Sequence, residues 1–294
     1  MNVMVTGATG YIGSNLAHEL VTQGKVVHIL VRNTHRVSAL RKRNAGVRVH
    51  VYDGSYESVR NAFDLARPDA VFHLASNVVV AHNSNDIDEM MNSNIRFGAL
   101  VAEAACDSHC RAFINAGTSW QYYRGVTYSP VNLYAATKQA FEDILRFYHE
   151  ARELHVVNLV LFDTYGPGDT RHKLIPQVID SLGSSTALEL SRGEQQLDLV
   201  YVDDTVAAFL RGAEIALSDE TAFGSFAVTS GRSISLREVV RVIENVSGRT
   251  ANVRFGAKRY RDREVMTPWK TGTILPGWSA NVCLEDGIRR VLCA

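Results

Sequence analysis

The sequence has few cysteines, no long apolar run and no excess of either charge. Only four cysteines occur in 294 residues, and no two of them form a CxxC pair. Cys106 and Cys110 lie on either side of His109, but no second cluster completes a metal site, so we expect free thiols in a reducing compartment. The scattered histidines form no HExxH pattern. We therefore expect neither a disulfide framework nor a bound metal.

Other absences restrict the class of protein. No apolar stretch reaches the ~18 residues of a membrane-spanning helix, and 46% hydrophobic with 21% charged residues is ordinary for a globular protein. Basic and acidic residues number 31 each, so no net positive charge attracts nucleic acid. Strand-like sequence begins at Asn2, so we expect no signal peptide before the fold. We expect a cytoplasmic protein that binds neither membranes nor nucleic acid.

Short apolar runs alternate with amphipathic helical patterns in the first half of the chain. The apolar runs are continuous, as in strands that are covered on both faces, which predicts an α/β fold with a doubly wound parallel sheet. The predicted strands cover 2–6, 26–31, 47–52, 70–75, 112–116 and 156–162, and the predicted helices cover 11–22, 56–66, 84–105 and 134–154.

After Phe162 the alternation becomes irregular. We therefore predict a first domain over 1–165 and a smaller lobe formed mainly by 166–294, with 198–225 returning to the first domain. There is no internal repeat or low-complexity tract.

A glycine motif follows the first predicted strand. In "TGATGYIG", Gly7 permits a tight turn, Gly10 lets a pyrophosphate approach the backbone, and Gly13 allows the helix to pack closely on the strand. The helix N-terminus then offers unpaired amides to the anion. A purely structural turn is the alternative to dinucleotide binding. The expected contacts are Gly7, Thr9, Gly10, Tyr11, Ile12 and Gly13.

The end of the second strand indicates which dinucleotide is bound. An acidic residue there binds the ribose 2'-hydroxyl of NAD, whereas an arginine can pair with the 2'-phosphate of NADP. Arg32 occupies this position, with Asn33 and Arg36 close behind, which favours NADP(H); NAD and a merely solvated basic loop are the alternatives. Asp53, after the third strand, is either a contact of the adenine amino group or a turn aspartate.

Tyr134 and Lys138 lie one helical turn apart in "NLYAATK". A lysine cation beside a phenol stabilises the phenolate, so we expect the pKa of Tyr134 to be lowered and the pair to donate and accept protons. Thr118 and Ser119, at the end of the fifth predicted strand, supply a hydroxyl at the sheet edge where ligands bind. A surface lysine covering an aromatic ring is the alternative.

Six motifs occur in an order that resembles the extended short-chain dehydrogenases/reductases acting on nucleotide sugars: "TGATGYIG", "HLAS", "GTSWQYY", "YAATK", "YGPGD" and "YVDD". The resemblance implies a Rossmann domain that binds NAD(P), a C-terminal sugar-nucleotide lobe, and a homodimer formed through helices 84–105 and 134–154. It assigns catalysis to Thr118, Tyr134 and Lys138. The further cofactor contacts that it implies are Gly54, Leu74, Ala75 and Ser76.

Departures from the family pattern narrow the reaction. Sugar 4,6-dehydratases of this family carry an Asp-Glu pair directly after the catalytic threonine, whereas this chain has Ser119 and Trp120. The chain is also similar to bacterial NDP-4-keto-6-deoxyhexose reductases, which include CDP-abequose and CDP-paratose synthases. We therefore expect NADPH-dependent reduction at C4 of a nucleotide-linked 4-keto-6-deoxy sugar. An NAD-dependent epimerase and a non-catalytic NADP-binding sensor or scaffold are the alternatives.

The resemblance also implies where the nucleoside-diphosphate sugar binds. Arg261 and Lys173 correspond to contacts of the diphosphate, and arginine suits phosphate oxygens because it gives two parallel hydrogen bonds. Arg192 and Arg263 are alternative diphosphate ligands. The expected substrate contacts are Ser119, Trp120, Asp163, Lys173, Leu174, Glu189, Ser191, Arg261 and Glu264.

Overall fold

A computed structural model describes residues 1–35, 37–44, 46–125, 127–218 and 223–294. The strands are β1 (Asn2–Thr6), β2 (Val26–Val31), β3 (Arg48–Val51), β4 (Ala70–His73), β5 (Ala112–Thr118), β6 (His155–Leu161), β7 (Asp163–Tyr165), β8 (Leu188–Leu190), β9 (Gln196–Tyr201), β10 (Phe223–Val228), β11 (Ser233–Ser235) and β12 (Val253–Phe255). The helices are α1 (Tyr11–Thr22), α2 (Val37–Arg43), α3 (Tyr56–Ala66), α4 (Ile87–Met91), α5 (Phe97–Asp107), α6 (Leu133–Arg152), α7 (Leu174–Ser181), α8 (Val202–Leu217), α9 (Leu236–Ser247) and α10 (Leu284–Leu292).

The main sheet of the described residues has seven strands in the order β10-β6-β5-β4-β1-β2-β3, and every neighbouring pair is parallel. This arrangement confirms the predicted doubly wound α/β fold. The chain moves outward from β1 through β2 to β3 and then returns to β4 on the other side of β1. The order therefore reverses between β1 and β4, and in such sheets the crevice at the carboxyl ends of these strands is where ligands bind.

Apolar side chains cover both faces of this sheet. On one face α1 and α8 pack through residues such as Leu16 and Phe209, and on the other face α3, α5 and α6 pack through Phe63 and Phe141. These four side chains are at most 1% exposed. The continuous apolarity of the predicted strands thus reflects burial on both sides.

The last third of the chain adds smaller units. A three-stranded sheet has the order β11-β9-β7, β12 pairs with β8, and a third apolar cluster forms around α7, α9 and α10. β9 belongs to this small sheet, whereas α8 and β10 pack on the main sheet. None of the helices in the described ranges combines the length and apolarity that crossing a membrane requires.

The helix predicted over 84–105 is interrupted in the structure. A short 3-10 turn at Ser84–Asp86 leads into α4, a π-helical segment follows at Asn92–Arg96, and α5 then runs to Asp107. Ser93 and Asn94, within the π segment, are buried polar residues. Wide turns of this kind are common at functional sites, and both side chains point towards the crevice residues described below.

Candidate active site

The glycine loop after β1 forms the tight turn that the sequence predicts. Gly7 has a φ of 72°, and its carbonyl accepts a hydrogen bond from the Gly10 amide at 2.9 Å. A Cβ on Gly7 would lie 2.6 Å from the Ala75 nitrogen, and a Cβ on Gly13 would overlap the Gly7 carbonyl. The backbones of β1, α1 and the loop after β4 therefore approach one another at a distance that only glycine permits.

The first turn of α1 suits a pyrophosphate. Gly10 is the N-cap, no side chain of the described residues caps this turn, and no acidic residue lies in it. Its amides therefore remain available to an anion, and the partial positive charge of the helix end favours one. The Tyr11 hydroxyl donates to the Pro167 carbonyl at 3.2 Å, which ties this turn to the loop after β7. These residues fit a dinucleotide.

Arg32 lies directly after β2, as predicted, and contacts the region before α5. Its Nη1 donates to the Ser93 hydroxyl at 2.9 Å and lies 3.8 Å from a carboxylate oxygen of Glu89. Both members of this ion pair are more than half exposed, so the pair adds little stability. Asn33 is exposed and accepts a hydrogen bond from the His35 amide, while Arg36 lies outside the described residues.

Asp53 is engaged in a turn before α3. Its Oδ1 accepts hydrogen bonds from the Ser55 amide at 2.8 Å and from the Ser55 hydroxyl at 2.6 Å, and these bonds lower the pKa of Asp53. The Gly54 carbonyl accepts from Arg96 at 3.0 Å. These hydrogen bonds support the interpretation of Asp53 as a turn aspartate. A contact between Asp53 and adenine stays a prediction.

The residues after β4 line the same crevice. The Leu74 amide donates to the Thr6 carbonyl and the Ala75 amide donates to the Thr6 hydroxyl, which holds this loop against β1. The Ser76 hydroxyl donates to Asn94 Oδ1 at 3.1 Å. Ser76 also shares a hydrogen bond with the phenol of Tyr134, so the loop connects the glycine turn to the proposed proton donor.

Tyr134 and Lys138 lie in the first two turns of α6. Asn132 caps this helix by accepting a hydrogen bond from the Ala135 amide at 3.0 Å, which fixes the helix start close to the predicted position. Lys138 is only 1% exposed, whereas Tyr134 keeps part of its surface exposed. The reading of this pair as a surface lysine covering a ring is wrong, because the ammonium is buried.

The expected direction of the Tyr134 pKa is wrong for this structure. Burial raises the pKa of Tyr134 to about 12, and the hydrogen bond with Ser76 offsets only part of that effect. Burial also lowers the pKa of Lys138 to about 8, against the opposing effect of the Glu142 carboxylate. Desolvation by burial is therefore the largest influence on the pKa of both side chains.

Thr118 ends β5 at the carboxyl edge and begins a short 3-10 turn that contains Ser119. Its Oγ1 accepts a hydrogen bond from the Trp120 amide at 3.3 Å, and its amide donates to Gln121 Oε1 at 3.0 Å. Thr118 is 8% exposed and Gln121 is completely buried. The threonine hydroxyl is therefore held by its own turn.

Trp120 connects the proton donor to the predicted substrate contacts. Its ring meets that of Tyr134 edge to face, and the Lys173 ammonium lies 5.9 Å from its centroid. The Lys173 ammonium lies 2.9 Å from a carboxylate oxygen of Asp163, which is the first residue of β7. Leu174 begins α7 directly after Lys173. The structure thus brings Trp120, Asp163 and Lys173 together near Tyr134.

The other predicted substrate contacts lie on the smaller unit. Arg261 and Glu264 form one turn, in which the Arg261 amide donates to the Glu264 carboxylate. Glu189 on β8 pairs with Arg254 on β12, and the Ser191 hydroxyl contacts the Gln195 side chain. The binding roles of these four residues stay predictions.

Arg263 joins the turn formed by Arg261 and Glu264 to the segment after β5. It donates to the Ser129 hydroxyl at 2.9 Å, and its guanidinium lies 4.3 Å from the centre of the Tyr123 ring.

Several residues of this site have no distinct signal in the sequence. Glu89 and Ser93 reach Arg32 because α4 and the π segment fold back towards β2. Gln121 and Glu142 form a hydrogen bond beneath Thr118. For Glu142 the spacing of four residues from Lys138 is a signal, but the sequence does not show that both side chains are buried.

The chain is similar to known proteins over nearly its whole length. It is 29% identical to CDP-abequose synthase of Yersinia pseudotuberculosis, with 91% of this chain and 92% of that enzyme covered. It is 25% identical to CDP-abequose synthase of Salmonella muenchen, with 99% and 96% covered. Its structure matches that of UDP-glucose 4-epimerase from Thermus thermophilus in complex with NAD at a TM-score of 0.84 and 25% identity, covering 100% of this chain and 98% of that one.

The family assignment rests on a longer pattern than any single motif. Residues 3–220 match the sequence model of the NAD dependent epimerase/dehydratase family. This range includes the glycine turn, Arg32, Thr118, Tyr134 and Lys138. The protein therefore belongs to the NAD dependent epimerase/dehydratase family and is a nicotinamide-dependent enzyme of the oxidoreductase type.

Proposed function

We propose that the protein reduces the C4 keto group of a nucleotide-linked 4-keto-6-deoxy sugar with NADPH, in the synthesis of sugars for a bacterial surface polysaccharide. The observation that carries the proposal is the set of groups at the carboxyl edge of β5 and the start of α6. A protonated phenol and a threonine hydroxyl are present, and Ser119 and Trp120 stand where the dehydratases that the chain resembles carry an Asp-Glu pair. Similarity to two CDP-abequose synthases agrees with the resemblance to 4-keto reductases.

Tyr134 acts as the proton donor. The nicotinamide, when bound, supplies the hydride. Because burial keeps the pKa of Tyr134 at about 12, the phenol is protonated at neutral pH, which is the form that reduction requires. The alkoxide that forms at C4 is a stronger base than phenolate, so the proton passes to it. Thr118 donates a hydrogen bond to the same oxygen and orients it.

Lys138 and the glycine turn bind the cofactor. The Lys138 ammonium is buried one turn from Tyr134, where it holds the ribose hydroxyls and places a positive charge near the phenolate that remains after proton transfer. The amides of the first turn of α1 hold the pyrophosphate. Arg32 keeps unused N–H donors in an exposed position and pairs with a 2'-phosphate, which is the basis for proposing NADPH rather than NADH.

The sugar nucleotide lies across the boundary between the main sheet and the smaller unit. Lys173 and Arg261 contact the diphosphate, and Ser119, Trp120 and Asp163 contact the sugar. Leu174, Glu189, Ser191 and Glu264 complete the binding site. We also propose a cytoplasmic homodimer formed through α5 and α6, where Phe147 leaves 59% of its surface exposed.

A panel of substrates tests this function. The protein is incubated with NADPH and with CDP-, GDP-, dTDP- and UDP-linked 4-keto-6-deoxy sugars, absorbance reports NADPH oxidation, and NMR identifies the product. We expect stoichiometric oxidation with one nucleotide class and a new C4 hydroxyl. NADH in a parallel series tests the proposed cofactor preference.

A nucleotide-sugar 4-epimerase is the second candidate, because the matching structure is a UDP-glucose 4-epimerase complex with NAD. It predicts NAD retained through purification and interconversion of 4-epimers without net oxidation of NADPH. That result in the same panel would replace the reductase assignment.

A further inference from the structure

Glu142 is a buried carboxylate in α6 that the proposed reaction does not use. It is 6% exposed, and both of its oxygens accept hydrogen bonds. Oε2 accepts from Gln121 Nε2 at 3.0 Å, and Oε1 accepts from the Ser225 hydroxyl on β10. Because both partners donate, the contacts suit the ionised, acceptor-only form of the side chain.

The hydrogen-bond partners of Gln121 fix the orientation of its side-chain amide. Its Oε1 accepts from the Thr118 amide at 3.0 Å, and a backbone N–H can only donate. Its Nε2 therefore faces two acceptors, Glu142 Oε2 and Gln139 Oε1, the latter at 2.8 Å. The Glu142 carboxylate is thus connected to the backbone of Thr118 through one completely buried side chain.

The strand next to this network leaves room for it. Gly117 precedes Thr118 in β5, and a Cβ there would lie 3.0 Å from Asn158 Nδ2 and 3.3 Å from Gln121 Oε1. Asn158 Nδ2 in turn donates to the Ser225 hydroxyl at 3.4 Å. The absence of a side chain at Gly117 therefore leaves space for Asn158 and Gln121 beside the end of β5 that carries Thr118.

Glu142 lies one helical turn after Lys138. Its negative charge raises the pKa of Lys138 and so offsets part of the lowering that burial causes. The neighbouring His73, Tyr134 and Tyr122 have pKa values that lie well away from that of Lys138. The pKa of the buried His73 on β4 lies well below its usual value because of burial. Burial raises the pKa of Tyr134 and of Tyr122 to about 12.

We propose that Glu142 is a positioning residue of this active site. Its carboxylate holds Gln121, and through Gln121 the backbone of Thr118, in one arrangement, and its negative charge keeps the buried Lys138 ammonium charged at neutral pH. The catalytic consequence rests on the proposed function. The effect on the charge of Lys138 requires only the folded protein, without cofactor or substrate.

The test compares Glu142→Gln with Glu150→Gln, which makes the same change at an exposed position of the same helix. In Glu142→Gln the side-chain oxygen can still accept a hydrogen bond from Gln121, so the variant mainly removes the charge. In thermal unfolding at pH 7 we expect the melting temperature of Glu142→Gln to lie below that of the wild type. The gap should be widest at pH 6 and should narrow as the pH rises to 9, because the pKa of Lys138 is about 8 in the wild type and lower in the variant, so Lys138 loses its charge in both proteins over this range. A gap that is independent of pH would overturn the proposed effect on Lys138.

Turnover provides the second measurement. We expect the alkaline limb of kcat/KM to move to lower pH in Glu142→Gln and to stay in place in Glu150→Gln. Ser225→Ala, which removes a donor but keeps the charge, should retain the position of the limb. Profiles of Glu142→Gln and the wild type that coincide would contradict the inference, as would an equal shift in Ser225→Ala. If the wild type reduces no keto sugar, the proposed function fails, and the unfolding measurement still decides the role of Glu142.

Discussion

The indole of Trp120 meets the ring of Tyr134 edge to face, with 6.4 Å between the ring centroids. The Trp120 ring also lies beneath the Lys173 ammonium, and the backbone amide of Trp120 donates to the hydroxyl of Thr118. One residue thus contacts the proposed proton donor, the hydroxyl that assists it and the cation proposed to bind the diphosphate. In the sugar 4,6-dehydratases that the chain resembles, the second residue of the Asp-Glu pair corresponds to Trp120.

Lys173 should govern substrate affinity rather than cofactor affinity. Its side chain is 42% exposed and its ammonium pairs with Asp163, so a diphosphate can displace that carboxylate as its partner. We expect Lys173→Met to raise KM for the sugar nucleotide about tenfold, which corresponds to ~1.4 kcal/mol, and to leave KM for NADPH unchanged. Initial rates at varied concentrations of each substrate test this. Lys42→Met, an exposed lysine on α2, is the control, and equal changes in both variants would remove Lys173 from the binding site.

Arg32 and Glu89 should set the cofactor preference in opposite directions. Removing the guanidinium deletes charge-assisted hydrogen bonds to the 2'-phosphate, so Arg32→Ala should raise KM for NADPH by roughly 10- to 100-fold and change KM for NADH little. Glu89→Gln should lower KM for NADPH, because the carboxylate 3.8 Å from Arg32 competes for it and repels phosphate. Arg60→Ala on α3 is the control. If Arg32→Ala weakened both cofactors equally, Arg32 would not read the 2'-phosphate.

Gly13 should not tolerate a methyl group. A Cβ there overlaps the Gly7 carbonyl, so Gly13→Ala forces α1 away from β1 and opens the turn proposed to bind the pyrophosphate. We expect Gly13→Ala to lower the melting temperature and to abolish the quenching of intrinsic fluorescence by NADPH. The matched change Gly46→Ala, where a Cβ meets no atom within 4 Å, should alter neither. Wild-type binding by Gly13→Ala would contradict the close packing.

Lys138 should make stability depend on pH in the alkaline range. Its pKa is about 8 in the folded protein and ~10.4 in an unfolded chain, so the unfolded state binds the proton more tightly between these values. The free energy of unfolding should therefore rise by up to roughly 3 kcal/mol as the pH increases from about 8 to 10.5. Urea unfolding across this range measures the slope. Lys138→Met should lack the contribution, and an identical slope in the two proteins would show that Lys138 is not desolvated.

The regular part of the fold follows from local patterns in the sequence. β1, β2, α1 and α3 begin and end where the apolar periodicity and the glycine motif predict. The π segment at Asn92–Arg96 and the helix α2 at Val37–Arg43 were not predicted. In the π segment, a regular apolar pattern conceals a change of helical pitch. Helix α2 has only seven residues, and its last three are basic, so it shows no clear apolar periodicity.

The candidate site also has one part that the sequence predicts and one part that it does not. Spacing along α6 predicts that Tyr134 and Lys138 are neighbours, and the glycine motif predicts the turn before α1. The sequence does not show how strongly the site excludes water, so the direction of the Tyr134 pKa was wrong. The pairing of Arg32 with Glu89 and of Glu142 with Gln121 depends on chain segments that meet only in the folded protein.

The most direct test of the account is the single-turnover rate of Tyr134→Phe with NADPH and the 4-keto sugar nucleotide that the wild type reduces. The variant keeps the aromatic ring against Trp120 and removes only the hydroxyl. We expect the rate of NADPH oxidation to fall by roughly 10² to 10⁴ while NADPH binds with unchanged affinity. A rate equal to that of the wild type would show that Tyr134 does not protonate the C4 oxygen.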